Sequence, residues 1–163
     1  MVKRLAAALV VLTVLATTLP GCLQSKPTGK APDLQLRNID TSGAFKLSDY
    51  AGKVIVLDFM ATWCGACKQE MPVLKEVYDR VGGNVVMISI DVDEESTEEM
   101  KNFKSEYGAD WTFASSEDDS PVQKYQIEYI PKIVIINANF DVSFSYVGTL
   151  AKEKILDEIE KAY

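Results

Sequence analysis

The spacing of apolar and polar residues predicts that this chain mixes buried strands with amphipathic helices. Val54–Met60 and Val85–Ile90 are nearly continuous apolar runs, which is typical of buried central strands. Between them, apolar residues recur at helical spacing from Cys64 to Val81, and this pattern ends at Gly82-Gly83. A buried strand, a helix and a second buried strand therefore follow one another near the middle of the chain.

Shorter patterns extend this arrangement on both sides. Short apolar or alternating runs predict strands at Pro32–Leu36, Phe45–Leu47, Trp111–Ala114, Lys132–Ile136 and Val142–Tyr146. Helical patterns predict a turn at Ser48–Tyr50, a helix capped by Ser96 that reaches about Tyr107, a short helix at Pro121–Tyr125, and a last helix at Ala151–Ala162 capped by Thr149. This order predicts an α/β fold in which a mixed central sheet is flanked by helices, formed by one domain at residues 33–163.

The N-terminal segment has the organisation of an export signal. Lys3 and Arg4 precede an apolar stretch that is too short for a full membrane span, so residues 1–21 are predicted to be a signal peptide. Leu19-Pro20-Gly21-Cys22 resembles the lipobox of bacterial-type lipoproteins, which predicts lipidation of Cys22; Pro20 departs from the small residue usual there. An uncleaved anchor, or ordinary cleavage that leaves Cys22 as a free thiol, remains an alternative. Residues 22–32 are polar and are predicted to be a tether, with the folded part outside the cytoplasm.

Composition excludes several classes of function. The chain carries 17 basic and 24 acidic side chains, a formal net charge of −7, which argues against binding to nucleic acid. It has three cysteines and no histidine, so Cys–His and Ser–His nucleophile pairs are excluded, and a four-ligand structural zinc site cannot be assembled in the usual way. We therefore expect neither a metal site nor a cofactor.

Cys64 and Cys67 lie where the first buried strand gives way to a helix. The unpaired N–H groups and the positive dipole end of a helix N-terminus favour the thiolate of Cys64. A spacing of three residues places Cys67 one turn deeper on the same face, within reach of a disulfide. These positions predict an exposed Cys64 that attacks and a sheltered Cys67 that resolves the mixed disulfide. A structural disulfide or a zinc site would be the alternatives.

The residues around this pair resemble a known family. Val56–Lys68 is similar to the active-site segment of thioredoxins, with Ala66 in place of the usual proline. The leading Ala31-Pro32-Asp33, the Leu47–Tyr50 segment and the Cys67–Pro72 segment resemble the TlpA/ResA-like branch of exported thioredoxins. The resemblance implies a thioredoxin fold with an N-terminal strand extension and an inserted helix and strand. It also implies a membrane-anchored reductant of protein disulfides that is served by a membrane electron donor, with cytochrome c maturation as a frequent setting.

Further site residues follow from the pattern and from the resemblance. Asp58 interrupts an apolar strand, so its carboxyl is expected to be desolvated, with a raised pKa, and able to accept the Cys67 proton; a solvated Asp is the alternative. The resemblance implies that Glu70 tunes the thiols, although a helical Glu is often merely solvated. It also implies that Pro131 follows a cis peptide bond and faces the cysteines. Residues expected to contact substrate are Trp63, Gly65, Ala66 and Ile130.

Two other functions on the same fold stay open. A thiol peroxidase of the peroxiredoxin type would resemble Thr-x-x-Cys at the helix start together with a later arginine, and the threonine spacing here differs. A copper metallochaperone would resemble Cys-x-x-x-Cys with a histidine, and this chain has neither. Because Gly65 and Ala66 supply no positive charge between the cysteines, we predict a comparatively reducing couple.

Overall fold

The computed structural model describes residues 29–93, 96–116 and 120–163. Its strands are β1 (Gln35–Asn38), β2 (Ala44–Lys46), β3 (Val54–Met60), β4 (Val85–Asp91), β5 (Thr112–Ser115), β6 (Lys132–Ile136) and β7 (Val142–Val147). Its α-helices are α1 (Gly65–Val81), α2 (Thr97–Glu106), α3 (Ser120–Lys124) and α4 (Lys152–Glu160), and short 3-10 turns occupy Leu47–Tyr50 and Gly82–Asn84. Within these ranges, no helix is long and apolar enough to cross a membrane.

The strands described form one mixed sheet in the order β2-β1-β5-β4-β3-β6-β7. The central strand β3 runs parallel to β4 and antiparallel to β6, and each of its residues is buried. A strand covered on both faces must be apolar throughout, which explains the continuous hydrophobic run in the sequence. The β1–β2 hairpin joins the sheet through β5, so the N-terminal extension and the inserted α2–β5 unit lie side by side.

Side chains of β3 alternate between two hydrophobic clusters, one on each face of the sheet. Val54, Val56 and Met60 join the cluster that includes Met71 and Leu74 of α1. Ile55, Leu57 and Phe59 join the opposite cluster, which includes Leu34, Leu47 and Tyr125. Since Asp58 lies between Val56 and Met60 in a strand of period two, its side chain is directed to the α1 face.

Helix α1 begins and ends at residues suited to those positions. Cys64 is its N-cap, with extended backbone angles and a side chain that accepts a hydrogen bond from the Cys67 N–H. The helix stops at Gly82, whose φ of 56° is accessible to glycine at little cost. Pro72 lies inside the helix, at its eighth residue.

The fold class and the order of elements predicted from the sequence are confirmed, and several boundaries differ. The first strand begins at Gln35 rather than Pro32, and Trp111 precedes β5. Thr149 is not the cap of the last helix, because the extended Ala151 occupies the N-cap position. Residues 29–32 of the predicted tether pack on the fold: Ala31 is buried, and its N–H donates to the Phe140 carbonyl at 2.9 Å.

Candidate active site

Cys64 and Cys67 form a disulfide at the carboxyl end of β3, with their Cα atoms 5.2 Å apart. The loop 61–63 connects β3 to α1, and the Cys64 N–H donates to the Ala61 carbonyl at 3.1 Å. This turn directs the Cys64 sulfur toward the free N-terminal end of α1. The strand-to-helix junction expected from the sequence therefore carries both sulfurs.

The N-terminus of α1 contacts the Cys64 sulfur directly. The Cys67 N–H donates to Cys64 Sγ at 3.1 Å, and this donor is one of those that the first turn of a helix leaves unpaired. A donor and a helix dipole aimed at one sulfur favour its negative charge over the neutral thiol. The arrangement therefore stabilises a Cys64 thiolate, which is the form of cysteine that attacks a disulfide.

The predicted contrast in exposure between the two cysteines is wrong for the disulfide form. Cys64 is 5% exposed and Cys67 is 2% exposed, so both are buried. The Cys64 sulfur is turned inward because it is bonded to Cys67 and lies 3.9 Å from the Ile130 carbonyl oxygen. The two residues between the cysteines, Gly65 and Ala66, are exposed.

The loop before β6 lies against the cysteine pair. The Ile130–Pro131 peptide bond is cis, as the family resemblance implied. The Pro131 carbonyl accepts a hydrogen bond from the Gly148 N–H at 2.8 Å, which ties this loop to the end of β7. Sheet pairing therefore brings Ile130 and Pro131, distant from the cysteines in sequence, to the same end of the sheet as Cys64.

Two exposed aromatic side chains flank the cysteine loop and the cis-proline loop. Trp63 is 63% exposed, and its Nε1–H donates to the Asp93 carboxylate, which follows β4. Tyr129, next to Ile130, is also largely exposed. The sequence pattern singles out Trp63 but neither Tyr129 nor Asp93. The positions of Tyr129 and Asp93 depend on the start of β6 and the end of β4 lying beside the end of β3, which no local sequence pattern reports.

Asp58 is buried on the α1 face with a hydroxyl partner. Ser89 is its register partner on β4, and Ser89 Oγ–H donates to Asp58 Oδ2 at 2.8 Å. Ser89 Oγ in turn accepts the Trp111 Nε1–H at 2.9 Å. Burial raises the pKa of Asp58 to about 7, although the hydrogen bond from Ser89 opposes this shift. A solvated Asp58, the alternative from the sequence, is excluded.

Glu70 is buried as well, so the alternative of a solvated helical glutamate is also excluded. It is 1% exposed; its Oε1 accepts the Leu150 N–H at 3.2 Å, and its Oε2 has no hydrogen-bond partner among the described residues. Burial, and next the charge of Asp58, raise the pKa of Glu70 to about 8, against the effect of the Leu150 hydrogen bond. Because each carboxylate disfavours the other, the two groups titrate as a coupled pair.

Other predictions for the site have different outcomes. Residues 1–28 fall outside the described ranges, so the signal peptide, Cys22 and its lipidation stay predictions. Within the described ranges, no three His, Cys, Asp or Glu side chains are grouped so that they could hold a metal ion. No sequence pattern connects Ser89 and Trp111 to the site, yet both belong to it through Asp58.

Comparison with known proteins agrees with this geometry. The family model described as Redoxin matches residues 26–162. The thiol-disulfide oxidoreductase ResA of Oceanobacillus iheyensis is 32% identical over 133 residues, which is 77% of this chain and 67% of the relative. ResA of Geobacillus kaustophilus is 29% identical over 133 residues, 80% of this chain and 74% of the relative.

Solved structures show the same architecture. The chain superposes on a thiol:disulfide interchange protein described as DsbE, from Chlorobium tepidum, with a TM-score of 0.74 and 28% identity, covering 83% of this chain and 96% of that one. A thiol-disulfide oxidoreductase structure from Bacteroides vulgatus gives a TM-score of 0.73 at 26% identity, covering 84% and 96%. With a cysteine pair at the start of α1 and a cis-proline loop beside it, the chain belongs to the Redoxin family and is a thiol–disulfide oxidoreductase of the thioredoxin fold.

Proposed function

We propose that this protein is a membrane-anchored, extracytoplasmic reductant of disulfides in exported proteins, and that it cycles between a Cys64/Cys67 dithiol and their disulfide. The observation that carries the proposal is the contact between the Cys67 N–H and the Cys64 sulfur at the start of α1. A thiolate stabilised there is a good nucleophile and also a good leaving group. Maturation of c-type cytochromes is one setting that fits such a reductant.

In the first step, the Cys64 thiolate attacks one sulfur of the substrate disulfide. A mixed disulfide forms between Cys64 and that sulfur, and the other substrate sulfur leaves as a thiolate that takes a proton from water. The substrate disulfide is thereby half reduced, and no electrons leave the pair of proteins. The helix N-terminus favours the thiolate form of Cys64 that this attack requires.

In the second step, Cys67 loses its proton and attacks Cys64 Sγ. The Cys64–Cys67 disulfide forms, the second substrate sulfur leaves, and the substrate becomes a dithiol while this protein becomes oxidised. Asp58 accepts the Cys67 proton in this step. Its side chain points to the α1 face that holds Cys67, and its pKa of about 7 suits proton transfer near neutral pH. A membrane electron donor then returns the disulfide to the dithiol.

The substrate segment is expected to lie along the cis-proline loop. The Ile130 carbonyl is 3.9 Å from Cys64 Sγ, so a strand that pairs with this backbone would bring its own sulfur to Cys64. Exposed Gly65 and Ala66 leave the approach to the pair free of large side chains. Trp63 provides an apolar surface beside it.

Trapping with a resolving-cysteine variant tests the redox cycle. Cys67→Ser, expressed from the full chain, should accumulate a mixed disulfide at Cys64 that dithiothreitol releases and that identifies the substrate by mass spectrometry. The matched Cys64→Ser variant keeps the other thiol and should trap nothing. If Cys64→Ser retains insulin reduction, or if the wild type consumes peroxide faster than it reduces insulin, the proposal is wrong.

Anchoring is tested separately through Cys22. A lipidated Cys22 predicts that the full chain sediments with membranes and incorporates labelled fatty acid, because two or more acyl chains hold a protein stably to a bilayer. Cys22→Ala should incorporate no label while its folded domain keeps insulin-reducing activity. Equal labelling of both proteins would contradict the lipid anchor and leave the redox proposal standing.

A further inference from the structure

We infer that Ser89 is a positioning residue that orients and tunes the proton acceptor Asp58, and that the indole of Trp111 holds Ser89 in this role. The inference rests on the proposed role of Asp58 in the second step. It concerns residues that the redox chemistry itself does not use. Neither touches the sulfurs in the contacts described above, and each acts through Asp58.

Register pairing places Ser89 beside Asp58. The two residues are Cα partners in the parallel β3–β4 ladder, so their side chains leave the sheet on the same face. Ser89 is fully buried between apolar neighbours on β4, Ile88 and Ile90, that point to the other face. A buried hydroxyl at this position is costly unless it is hydrogen-bonded, and here both of its bonds are made within the protein.

Trp111 fixes the direction of the serine hydrogen. An indole Nε1–H can only donate, so the Ser89 oxygen accepts the Trp111 hydrogen bond at 2.9 Å. The single Ser89 hydrogen is then directed to Asp58 Oδ2 at 2.8 Å. This bond uses one of the two lone pairs of Oδ2, so it favours Oδ1 as the oxygen that takes an arriving proton. The chain Trp111–Ser89–Asp58 therefore orients the carboxyl for proton transfer.

Among the groups that pack around Asp58, Ser89 is the one whose hydrogen bond favours the ionised carboxylate. From α1, the Glu70 carboxyl faces it and keeps its own proton up to about pH 8, and the two cysteine sulfurs lie on the same face. From β6, its register partner is the apolar Ile133, and from the segment before β5 comes Trp111, which is neutral. Burial disfavours the Asp58 carboxylate, and the Ser89 hydrogen bond offsets part of that effect.

Loss of the hydroxyl should therefore move the pH dependence of the second step. In Ser89→Ala the pKa of Asp58 rises further, and below that pKa each additional unit lowers the ionised fraction by about tenfold. We expect release of a preformed Cys64 mixed disulfide to slow by about threefold to tenfold near neutral pH. The difference should shrink at higher pH, where Asp58 is ionised in both proteins.

Two matched variants separate positioning from mere packing. Ser89→Thr keeps the hydroxyl and should restore the wild-type pH profile. Trp111→Phe keeps an aromatic ring but loses the donor, so the serine hydrogen is freed from its fixed direction and the profile should shift as in Ser89→Ala, by a smaller amount. If Ser89→Ala does not fold, the Thr and Phe variants decide the matter.

The Trp111 indole provides a second readout. The chain has two tryptophans, so a nitrogen–proton NMR spectrum has two indole peaks. The Trp111 peak should shift with the midpoint of Asp58 ionisation in the wild type, and should lose that titration in Asp58→Asn. A structural role for Ser89 alone would give no such titration.

The outcomes distinguish this inference from the proposed function. If Asp58→Asn leaves the pH profile of mixed-disulfide release unchanged, Asp58 is not the acceptor, and both the acceptor role and the positioning role fall. If Asp58→Asn slows release but folded Ser89→Ala follows the wild-type profile, or Thr fails to restore it, only the positioning role of Ser89 is overturned.

Discussion

At the scale of single residues, the fold buries two carboxyl groups on one face of the sheet and gives each only partial compensation. Asp58 receives one hydroxyl hydrogen bond, and Glu70 receives one backbone N–H at 3.2 Å. Both have raised pKa values because burial disfavours the charged form, and the charge of Asp58 also raises the pKa of Glu70. Such groups weaken the folded state, and their retention in a core points to proton transfer rather than to stability.

The first prediction concerns stability in Asp58→Asn. The folded protein keeps the Asp58 proton up to about pH 7, whereas an unfolded Asp loses it near its model value of 3.8. The folded state therefore binds more protons across this interval, and the free energy of unfolding of the wild type falls as pH rises through it. Asn keeps an acceptor for Ser89 without the charge. We expect it to raise the free energy of unfolding by on the order of 3 kcal/mol at about pH 8, and by little near pH 4.

Urea unfolding of the disulfide form at both pH values measures this difference. Ser89→Ala is a useful companion, because it removes the hydrogen bond but leaves the buried carboxyl. It should not be stabilised at the higher pH. Equal stability of wild type and Asp58→Asn at both pH values would mean that Asp58 is not buried with its proton.

The second prediction concerns the coupling between the carboxyls. In Glu70→Gln the amide oxygen can still accept the Leu150 N–H, but the negative charge near Asp58 is gone. Because the pKa of Glu70 is about 8 and is raised by the charge of Asp58, Glu70 still holds its proton while Asp58 ionises near pH 7. The midpoint of mixed-disulfide release should therefore stay near pH 7 in this variant. Single-turnover release followed from about pH 5 to 9 measures the midpoint. A midpoint that falls by about one unit would show that Glu70, and not Asp58, is the first of the pair to ionise.

The sequence predicts the role of a single residue well when the residues that determine its surroundings are close to it in the chain. Asp58 is identifiable because it interrupts an apolar strand, and Cys64 because it precedes a helix. The burial of Glu70 is not visible in its own helix, since it depends on Leu150 from the segment before α4. The link of Ser89 to Asp58 depends on the β3–β4 register, which the sequence of either strand alone does not specify.

At the scale of elements, the start of α1 sets the chemistry of Cys64. The helix offers a backbone N–H and its positive dipole end, while Gly65 and Ala66 add no charge. Stabilising the thiolate more strongly makes the dithiol form more stable and the couple more oxidising. Since this helix start acts alone, we predict a reduction potential nearer the thioredoxin value of about −270 mV than the DsbA value of about −120 mV.

The third prediction adds a charge to this element. Ala66→His places an ionisable imidazole, exposed like Ala66 itself, beside the Cys64 sulfur. It should lower the pKa of Cys64 and raise the potential, by about 30 mV for each tenfold gain in the stability of the dithiol form. Ala66→Gln is the matched control of similar size without the charge. Equilibration with glutathione buffers measures both, and an equal potential in the His and Gln variants would contradict an electrostatic cause.

Elements differ in how well the sequence defines their ends. The bounds of β3 and β6 are predicted correctly, because both are apolar runs in the middle of the sheet. The last helix begins at Lys152 with Ala151 as its N-cap, although Thr149 is the better capping residue. The segment before α4 is fixed by hydrogen bonds to other parts of the fold: the Gly148 N–H donates to the Pro131 carbonyl, and the Leu150 N–H donates to Glu70 Oε1. Tertiary contacts there override the local capping preference.

At the scale of the whole molecule, the site is assembled where one end of the sheet gathers the ends of several strands. The carboxyl ends of β3, β4 and β7 and the start of β6 meet there, so Cys64, Asp93, Gly148 and Pro131 become neighbours. The family resemblance gives this architecture, whereas hydrophobic patterning gives only the elements. What neither gives is the exposed Tyr129 of the cis-proline loop, which the fold brings to the same end of the sheet as the exposed Trp63.

The fourth prediction follows from these aromatics. An exposed Trp and Tyr beside a reactive sulfur expose apolar area that a protein substrate can cover, and truncation of such residues in interfaces costs about 1 to 2 kcal/mol. Trp63→Ala and Tyr129→Ala should therefore each raise the KM for a protein disulfide by about fivefold to thirtyfold. The rate of Cys64 with a small disulfide such as oxidised glutathione should change little, because that substrate is too small to cover the aromatic surface.

Tyr163→Ala is the matched control, since this equally exposed tyrosine lies beside Arg80 and Val81 at the opposite end of α1. Equal losses with both substrates would show that the aromatics act on the Cys64 sulfur itself, and a loss in Tyr163→Ala would show that the effect is not local to the site.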